Sequence, residues 1–308
     1  MKILVTGGNG FIGKFLIKHL IEKNHQITSF DNYSNSNEEY FNELTKLGVK
    51  TIQGDIRKQE EISKAARGHD VIIHLAAKIS VEDSIENPDE TFGVNVEGTR
   101  NVLTSCLNND IKNLIIVSSA AVYGNRINEN EILFENSKTE PISPYGKSKL
   151  MMEEIVKEFS NLNKINCIIL RIFNVYGPGQ SDEYAGVITK FIKNAKKGKP
   201  LKIFGDGMQT RDFISIYDVI SIIANSLLKL ENKRGEIYNI ATGETITIGE
   251  LANLILSLTG GKSKVEFLKP LDADIRFSNP SIKNAEDEIN FNPKIKLKNG
   301  LQKFIGEL

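Results

Sequence analysis

The chain has little cysteine, no excess of charge of either sign and no long apolar run, and each shortage removes a class of function. Cys106 and Cys167 are its only cysteines; both lie in apolar segments, and neither has a Cys or His at ligand spacing. They read as buried structural thiols, so no metal site is expected. Lys plus Arg total 39 and Asp plus Glu total 39, giving a formal net charge of zero. Nothing in that balance suggests nucleic acid or an acidic membrane surface as a partner. No apolar stretch approaches the roughly 18 residues of a membrane helix, and the opening "MKILVTGG" lacks the h-region and cleavage site of a signal peptide. Internal repeats and low-complexity linkers are missing too. The expectation is a cytoplasmic protein acting on a small molecule, with 308 residues for one or two domains.

What is present is an alternation. "KILVTG", "QITSFD", "VKTIQGD", "DVIIHLA", "NLIIVSS" and "CIILRIF" read as strands, with helices predicted over 11–23, 36–47, 58–67, 89–109 and 145–160. Apolar strands separated by amphipathic helices imply a parallel sheet covered on both faces. After Phe173 the pattern breaks at "NVYGPGQ", continues through the basic helix "GVITKFIKNAKKG", and reaches "DFISIYDVISIIANSLLKL", a strand and helix expected to rejoin the first sheet. The fold class is therefore α/β: a Rossmann-type doubly wound parallel sheet with a smaller, partly interleaved C-terminal substrate domain. The first domain is expected over 1–172 plus about 213–240, the second over 173–212 plus 241–308.

"VTGGNGFIGKFL" places Gly7, Gly10 and Gly13 three apart, directly after a strand and opening a helix; Gly8, Gly10 and Gly13 also satisfy G-x-G-x-x-G. Glycine suits a tight turn where backbone must approach a pyrophosphate, and the helix N-terminus supplies N–H groups and a positive dipole end. Asp31 closes the second strand 18 residues after Gly13, near the spacing at which a carboxylate meets an adenosine ribose. It would repel a 2′-phosphate, which favours NAD over NADP. Asp55, in "GDI", is a candidate acceptor for the adenine amino group, the alternative being a turn aspartate that caps a helix.

"SPYGKSKLMMEEIVKEF" sets Tyr145 and Lys149 four apart on one helix face. A phenol is a poor base at neutral pH, but a nearby ammonium favours the phenolate, so Tyr145 is a candidate general base with Lys149 as its support. Upstream, "SSAAVYG" offers Ser119 at a strand tip. His74, inside the apolar "VIIHLAA", reads as a hydrogen-bonded core histidine.

"TGGNGFIG", "GDI", "VIIHLAA", "NVEGT", "SSAAVYG", "YGKSK", "RIFNVYGPGQ" and "FGDGMQTRDFI" occur in an order that resembles the extended short-chain dehydrogenase/reductases of the NAD-dependent epimerase/dehydratase family, most of all its UDP-glucose and UDP-N-acetylglucosamine 4-epimerase members. The resemblance implies Ser119, Tyr145 and Lys149 as the catalytic group, with Asn95 as a structural or water-holding residue beside it. It implies NAD contacts from Gly7, Gly10, Phe11, Ile12, Gly13, Asp31, Asn32, Asp55, Ile56, Leu75, Ala76, Ala77, Asn95, Tyr145 and Lys149. For a nucleotide-diphosphate sugar, UDP-linked, it implies Ser119, Ala120, Tyr145, Asn174, Val187, Phe204, Arg211 and Arg276; Phe191 is a further candidate, with ordinary core as the alternative for the apolar ones. It also implies a homodimer through helices 89–109 and 145–160.

The family's 4,6-dehydratases resemble one another in an Asp-Glu pair after the serine or threonine; here Ala120 and Ala121 stand there. That argues for epimerisation by transient C4 oxidation, with a 4-reductase as the alternative. A non-catalytic dinucleotide-binding member would be marked by loss of the Tyr-Lys pair, which is intact. Aligning Asp274 with an aspartate of the family's C-terminal segment makes Ser278 the residue that gates the sugar 2-substituent, small enough for an N-acetyl group. The arginine expected three before it is Leu271, and Arg276 is the candidate substitute.

Overall fold

The computed structural model describes residues 1–35, 38–180, 186–270 and 275–307. Asp274 and Leu271 lie outside the described residues.

The first half alternates as its hydrophobic pattern dictates. β1 (Lys2–Thr6), α1 (Phe11–Glu22), β2 (Gln26–Asp31), α2 (Glu38–Lys46), β3 (Lys50–Gln53), α3 (Gln59–Ala66) and β4 (Val71–His74) come in order. All four residues of β4 are buried, as expected of a strand covered on both faces. Next come α4 (Val81–Glu86), α5 (Pro88–Phe92), a π-helical turn (Gly93–Glu97), α6 (Gly98–Asn108), β5 (Asn113–Ser119), α7 (Pro144–Asn163) and β6 (Asn166–Ile172). The single helix predicted over 89–109 is thus α5, a π turn and α6 joined end to end.

The remaining elements are β7 (Asn174–Tyr176), α8 (Val187–Lys196), β8 (Leu201–Phe204), β9 (Thr210–Ser215), α9 (Ile216–Ser226), β10 (Arg234–Ile240), β11 (Thr245–Thr247), α10 (Ile248–Thr259), β12 (Val265–Leu268), α11 (Lys283–Ile289) and α12 (Leu297–Glu307). The main sheet has seven strands in the order β10-β6-β5-β4-β1-β2-β3. β1 pairs in parallel with both β2 and β4, and the strand order reverses between them. In an open α/β sheet such a reversal marks the crevice at the strand C-termini where ligands bind.

The strand expected within "DFISIYD" does not rejoin that sheet. β9 pairs in parallel with β7 and antiparallel with β11 in a separate three-stranded sheet, because β7 leaves β6 at Phe173 and offers its own hydrogen-bonding edge. β10 takes the outer position beside β6 instead.

The chain divides into two compact units, one of Met1–Val122, Ser143–Arg171 and Ile220–Tyr238, the other of Tyr123–Ile142, Ile172–Val219 and Asn239–Leu308. Residues 123–142 therefore group with the second unit although the sequence placed them in the first. Leu133 explains it: its N–H and C=O bond Asn279 and Ser281 within the second unit.

Each unit has its own core. In the first, Leu4, Phe30, Ile72, Val102, Leu114, Ile116, Val156 and Ile169 pack together with Cys106 and Cys167. Burial pushes the Cys106 thiol up to about 12 and that of Cys167 up as well, so both stay protonated. In the second, Tyr176, Phe191, Ile192, Leu251, Ile255 and Phe304 form the centre. Leu107 of α6 and Met151 and Leu162 of α7 are exposed. Among the described residues no helix is long and apolar enough to cross a membrane.

Candidate active site

At the head of α1 the chain turns through Gly7, with φ of +70°, where a side chain would lie 2.7 Å from the Ala76 backbone N. Gly13 sits over the loop, its missing Cβ 2.5 Å from the carbonyl oxygens of Gly7 and Gly8. Gly10 is the N-cap residue and has no side chain to cap the helix. The first-turn N–H groups at Phe11 and Ile12 therefore have no side-chain cap, and a Cβ on Gly10 would meet only the Gly7 carbonyl, at 3.2 Å. An uncapped helix N-terminus under a glycine cradle fits a pyrophosphate.

Asp31, at the tip of β2, accepts hydrogen bonds from the backbone N–H of Asn9 at 2.9 Å and of Tyr33 at 2.8 Å. Burial raises its carboxyl above the usual range, while those two bonds and Lys14 oppose the rise. Asn32 accepts from the Ser34 N–H and is otherwise exposed. Asp55 is spoken for differently: the Arg57 guanidinium grips it at 2.5 to 3.1 Å and the Arg57 N–H bonds it at 2.9 Å. The Arg57 contact holds this carboxyl below its ordinary value. The bond from the Arg57 N–H closes a turn ahead of α3, but the N-cap of α3 is Lys58, so Asp55 does not cap that helix. Ile56 is core, and Leu75 and Ala76 run beside Thr6, the Leu75 N–H bonding the Thr6 carbonyl at 3.0 Å.

Ser119, Tyr145 and Lys149 come together in the first unit. Ser119 lies near the Tyr145 hydroxyl and lowers the phenol's pKa, whereas burial raises it by more. The Ser119 Oγ also accepts from the Ala121 N–H at 3.2 Å, fixing the start of the short 3₁₀ turn Ala120–Tyr123. Lys149 is buried and its Nζ donates to the Val117 carbonyl at 3.0 Å. Burial brings its pKa down to about 8, with Glu153 opposing. Burial outweighs Ser119, so the phenol stands above its ordinary pKa rather than below it, contrary to the expectation that Lys149 would favour the phenolate.

Several residues support this group, and of these Glu153, Ser143 and Ser84 left no readable mark in the sequence. Glu153, one turn beyond Lys149, is buried against Arg171 at 2.7 Å and accepts from the Ser118 hydroxyl at 2.5 Å. Its charge thus has both a partner and hydrogen bonds, which a buried ion needs. Asn95, in the π turn, accepts from the Lys78 N–H at 2.8 Å and donates to the Lys78 carbonyl at 3.0 Å and to Ser148 Oγ at 2.9 Å. Such turns recur at functional sites. At the head of α7, Ser143 accepts from the Gly146 N–H, and Ser84 of α4 accepts from the Tyr145 N–H at 3.1 Å. His74 is buried between Thr6 and Thr99, 2.6 and 3.0 Å from its two ring nitrogens, and burial takes its pKa to about 3. It is neutral and structural.

The substrate candidates from Asn174 onward lie in the second unit. Asn174 Nδ2 donates to the Asp212 carbonyl at 2.9 Å. Asp212 is held by the Thr242 N–H and hydroxyl, and burial lifts it to about 6. Arg276 and Arg211 lie on adjoining backbone, the Thr210 N–H bonding the Arg276 carbonyl at 3.0 Å. Arg276 pairs in a fork with Asp206 at 2.6 and 2.8 Å, which pulls the Asp206 carboxyl far down. Arg211 donates to the Thr210 carbonyl at 2.8 Å. Phe191 is core, Val187 packs against it, Phe204 is 39% exposed, and Ser278 is buried with its N–H on Thr210 Oγ1. Among the described residues no group of three His, Cys, Asp or Glu is placed to hold a metal ion.

The chain is similar to known proteins over almost its whole length. A candidate UDP-glucose 4-epimerase of Methanocaldococcus jannaschii is 37% identical over 307 residues, covering 98% of this chain and 97% of its own. A UDP-N-acetyl-alpha-D-glucosaminuronate decarboxylase of Bacillus cytotoxicus is 31% identical, covering 99% of this chain and 96% of its own. The crystal structure of UDP-glucose 4-epimerase with UDP-glucose from Thermotoga maritima superposes with a TM-score of 0.91 at 30% identity, covering 99% of this chain and 98% of that one. The model of the NAD dependent epimerase/dehydratase family matches residues 3–241. The chain therefore belongs to the NAD dependent epimerase/dehydratase family, and its cofactor is NAD.

Proposed function

We propose that the protein is a nucleotide-sugar 4-epimerase acting on a UDP-linked hexose or N-acetylhexosamine. The observation that carries this reading is the grouping of Ser119 and Tyr145 with buried Lys149, together with Ala120 and Ala121 after Ser119, where an elimination would need acids.

Bound NAD supplies a hydride acceptor that can also give the hydride back. The Gly7–Gly13 turn and the open head of α1 would hold its pyrophosphate, and Asp31 the adenosine ribose. Tyr145 takes the proton of the sugar C4 hydroxyl as that carbon is oxidised, and returns it when the carbonyl is reduced. Ser119, near the phenol, steadies the same oxygen, and the Lys149 ammonium offsets the charge the phenol acquires. No carboxyl comes after Ser119 to protonate a departing C6 hydroxyl, so the C6 oxygen stays. The small side chains of Ala120 and Ala121 suit a keto-sugar that turns over before reduction. Asn174, Arg211 and Arg276 supply donors for the diphosphate, Arg being suited to it by its planar fork.

The test is incubation of the purified protein with UDP-glucose, UDP-N-acetylglucosamine and UDP-glucuronate, read by NMR. Inversion at C4 without net NADH consumption is expected, and Tyr145→Phe should lower turnover by about 10²–10⁴-fold while NAD stays bound. Stoichiometric NADH consumption would replace the epimerase with a reductase, and loss of carbon dioxide from the uronate would replace it with a decarboxylase.

A further inference from the structure

We propose that Ser84 is a positioning residue for Tyr145, an inference that rests on the epimerase reading and extends its machinery to α4. The first N–H groups of a helix have no acceptor within it. In α7 the first position is Pro144, which has no N–H, and Ser143 Oγ already accepts from the Gly146 N–H while its carbonyl takes the Lys147 N–H. That leaves the N–H of Tyr145. Its acceptor comes from 61 residues away: Ser84 Oγ, at 3.1 Å.

Ser84 is completely buried, so water cannot stand in for it. Its own proton is committed to the Val81 carbonyl at 2.6 Å, which fixes the hydroxyl rotor and turns a lone pair toward Tyr145. On the other side the Tyr145 carbonyl accepts from Ser148 Oγ at 2.8 Å, and Ser148 is in turn bonded by Asn95. The main chain of Tyr145 is thereby held at its N–H by one buried hydroxyl and at its C=O by another. The phenol inherits that placement through its Cα, and a misplacement of about 1 Å at a reacting group costs roughly 10²-fold in rate. Ser84 touches neither the phenol oxygen nor the reacting carbon; it acts through the backbone.

The experiment compares wild type, Ser84→Ala and Ser84→Thr, all with NAD bound. It reads kcat and KM with UDP-glucose and UDP-N-acetylglucosamine, and backbone hydrogen exchange at Tyr145 with the amides of α6 as internal reference. Ser84→Ala should lower kcat about tenfold, the worth of one hydrogen bond, with KM within about twofold. Tyr145 exchange should accelerate while α6 stays unchanged, and Ser84→Thr, which keeps the hydroxyl, should recover most of both. A Ser84→Ala protein with wild-type kcat and wild-type Tyr145 exchange overturns the proposal. So does a loss in which KM rises, α6 exchange accelerates equally and threonine restores nothing, because that is general destabilisation. If wild type turns over neither sugar, the epimerase reading fails by itself. The exchange comparison then decides the positioning role: unchanged Tyr145 protection in Ser84→Ala rejects it, and selective loss supports it.

Discussion

The heads of α1 and α7 face the same physical problem and solve it in opposite ways. Both helices begin beside residues of the candidate site, and both have N–H groups that the helix itself cannot satisfy. α1 opens on Gly10, with no side-chain cap. α7 opens on Ser143 and Pro144, and its next N–H is met by Ser84. The open end suits an anionic ligand that supplies the acceptor on arrival; the closed end suits a side chain that must already be in place. A cap is therefore withheld or provided according to whether the group of interest is the ligand or the protein itself.

The sharpest way to break this contrast is to close the open end. Gly10 has extended backbone (φ −73°, ψ 177°) that any residue can adopt. Gly10→Asp should weaken NAD binding on the order of 1,000-fold, since like charges about 4 Å apart at an effective dielectric constant of 20 repel by about 4 kcal/mol. The NAD-free protein should lose little stability, because aspartate is a good N-cap. Titration calorimetry with NAD and the thermal midpoint without it check both halves; undiminished NAD affinity would show that α1 is not the anion site.

Opening the closed end is gentler. Ser143→Ala should cost about 1 kcal/mol of stability, read from denaturant unfolding, and leave NAD affinity unchanged. A comparable loss of NAD affinity would mean that the two helix ends are not independent.

The smallest effects are pH slopes of opposite sign. Burial raises Asp31 near α1, so between the ordinary carboxylate value and its folded value the native state binds more protons, and its contribution to stability falls as pH rises. Burial lowers Lys149 in α7 to about 8 from 10.5, so between those values the unfolded state binds more protons, and its contribution rises with pH. Asp31→Asn should remove the first slope and Lys149→Met the second, measured as unfolding free energy against pH. A slope that survives its substitution reassigns it to another group.

Legibility in the sequence tracks the range of the interactions. The glycine turn, the strand tip at Asp31 and the Tyr145–Lys149 spacing are local, so their residue types and intervals announce them. His74 was equally legible, since an apolar strand leaves a histidine few options but the hydroxyls of Thr6 and Thr99. Ser84 and the Glu153–Arg171 pair were not legible, because each matters only through a partner brought near by the fold, and Asn95 was marked only by the family resemblance. β9 misled for a related reason: "DFIS" reads as a strand, but which edge accepts it depends on β7, three residues long and invisible to a periodicity argument. Asp55 was undecided because its neighbour Arg57 competes for the same carboxylate that a ligand would use.

The π turn at Gly93–Glu97 has a consequence for helical phase. A π turn accommodates one residue more than an α turn, which rotates the downstream residues by about 100° relative to the upstream ones. Asn95, inside the turn, faces Lys78 and Ser148, while Thr99, just beyond it, meets His74 and donates to the Asn95 carbonyl at 2.7 Å. One continuous segment thus addresses two separate neighbours, the loop after β4 and the interior of the sheet. The inserted residue works as a gear offset between them, and shortening the segment by one position would disengage one side or the other.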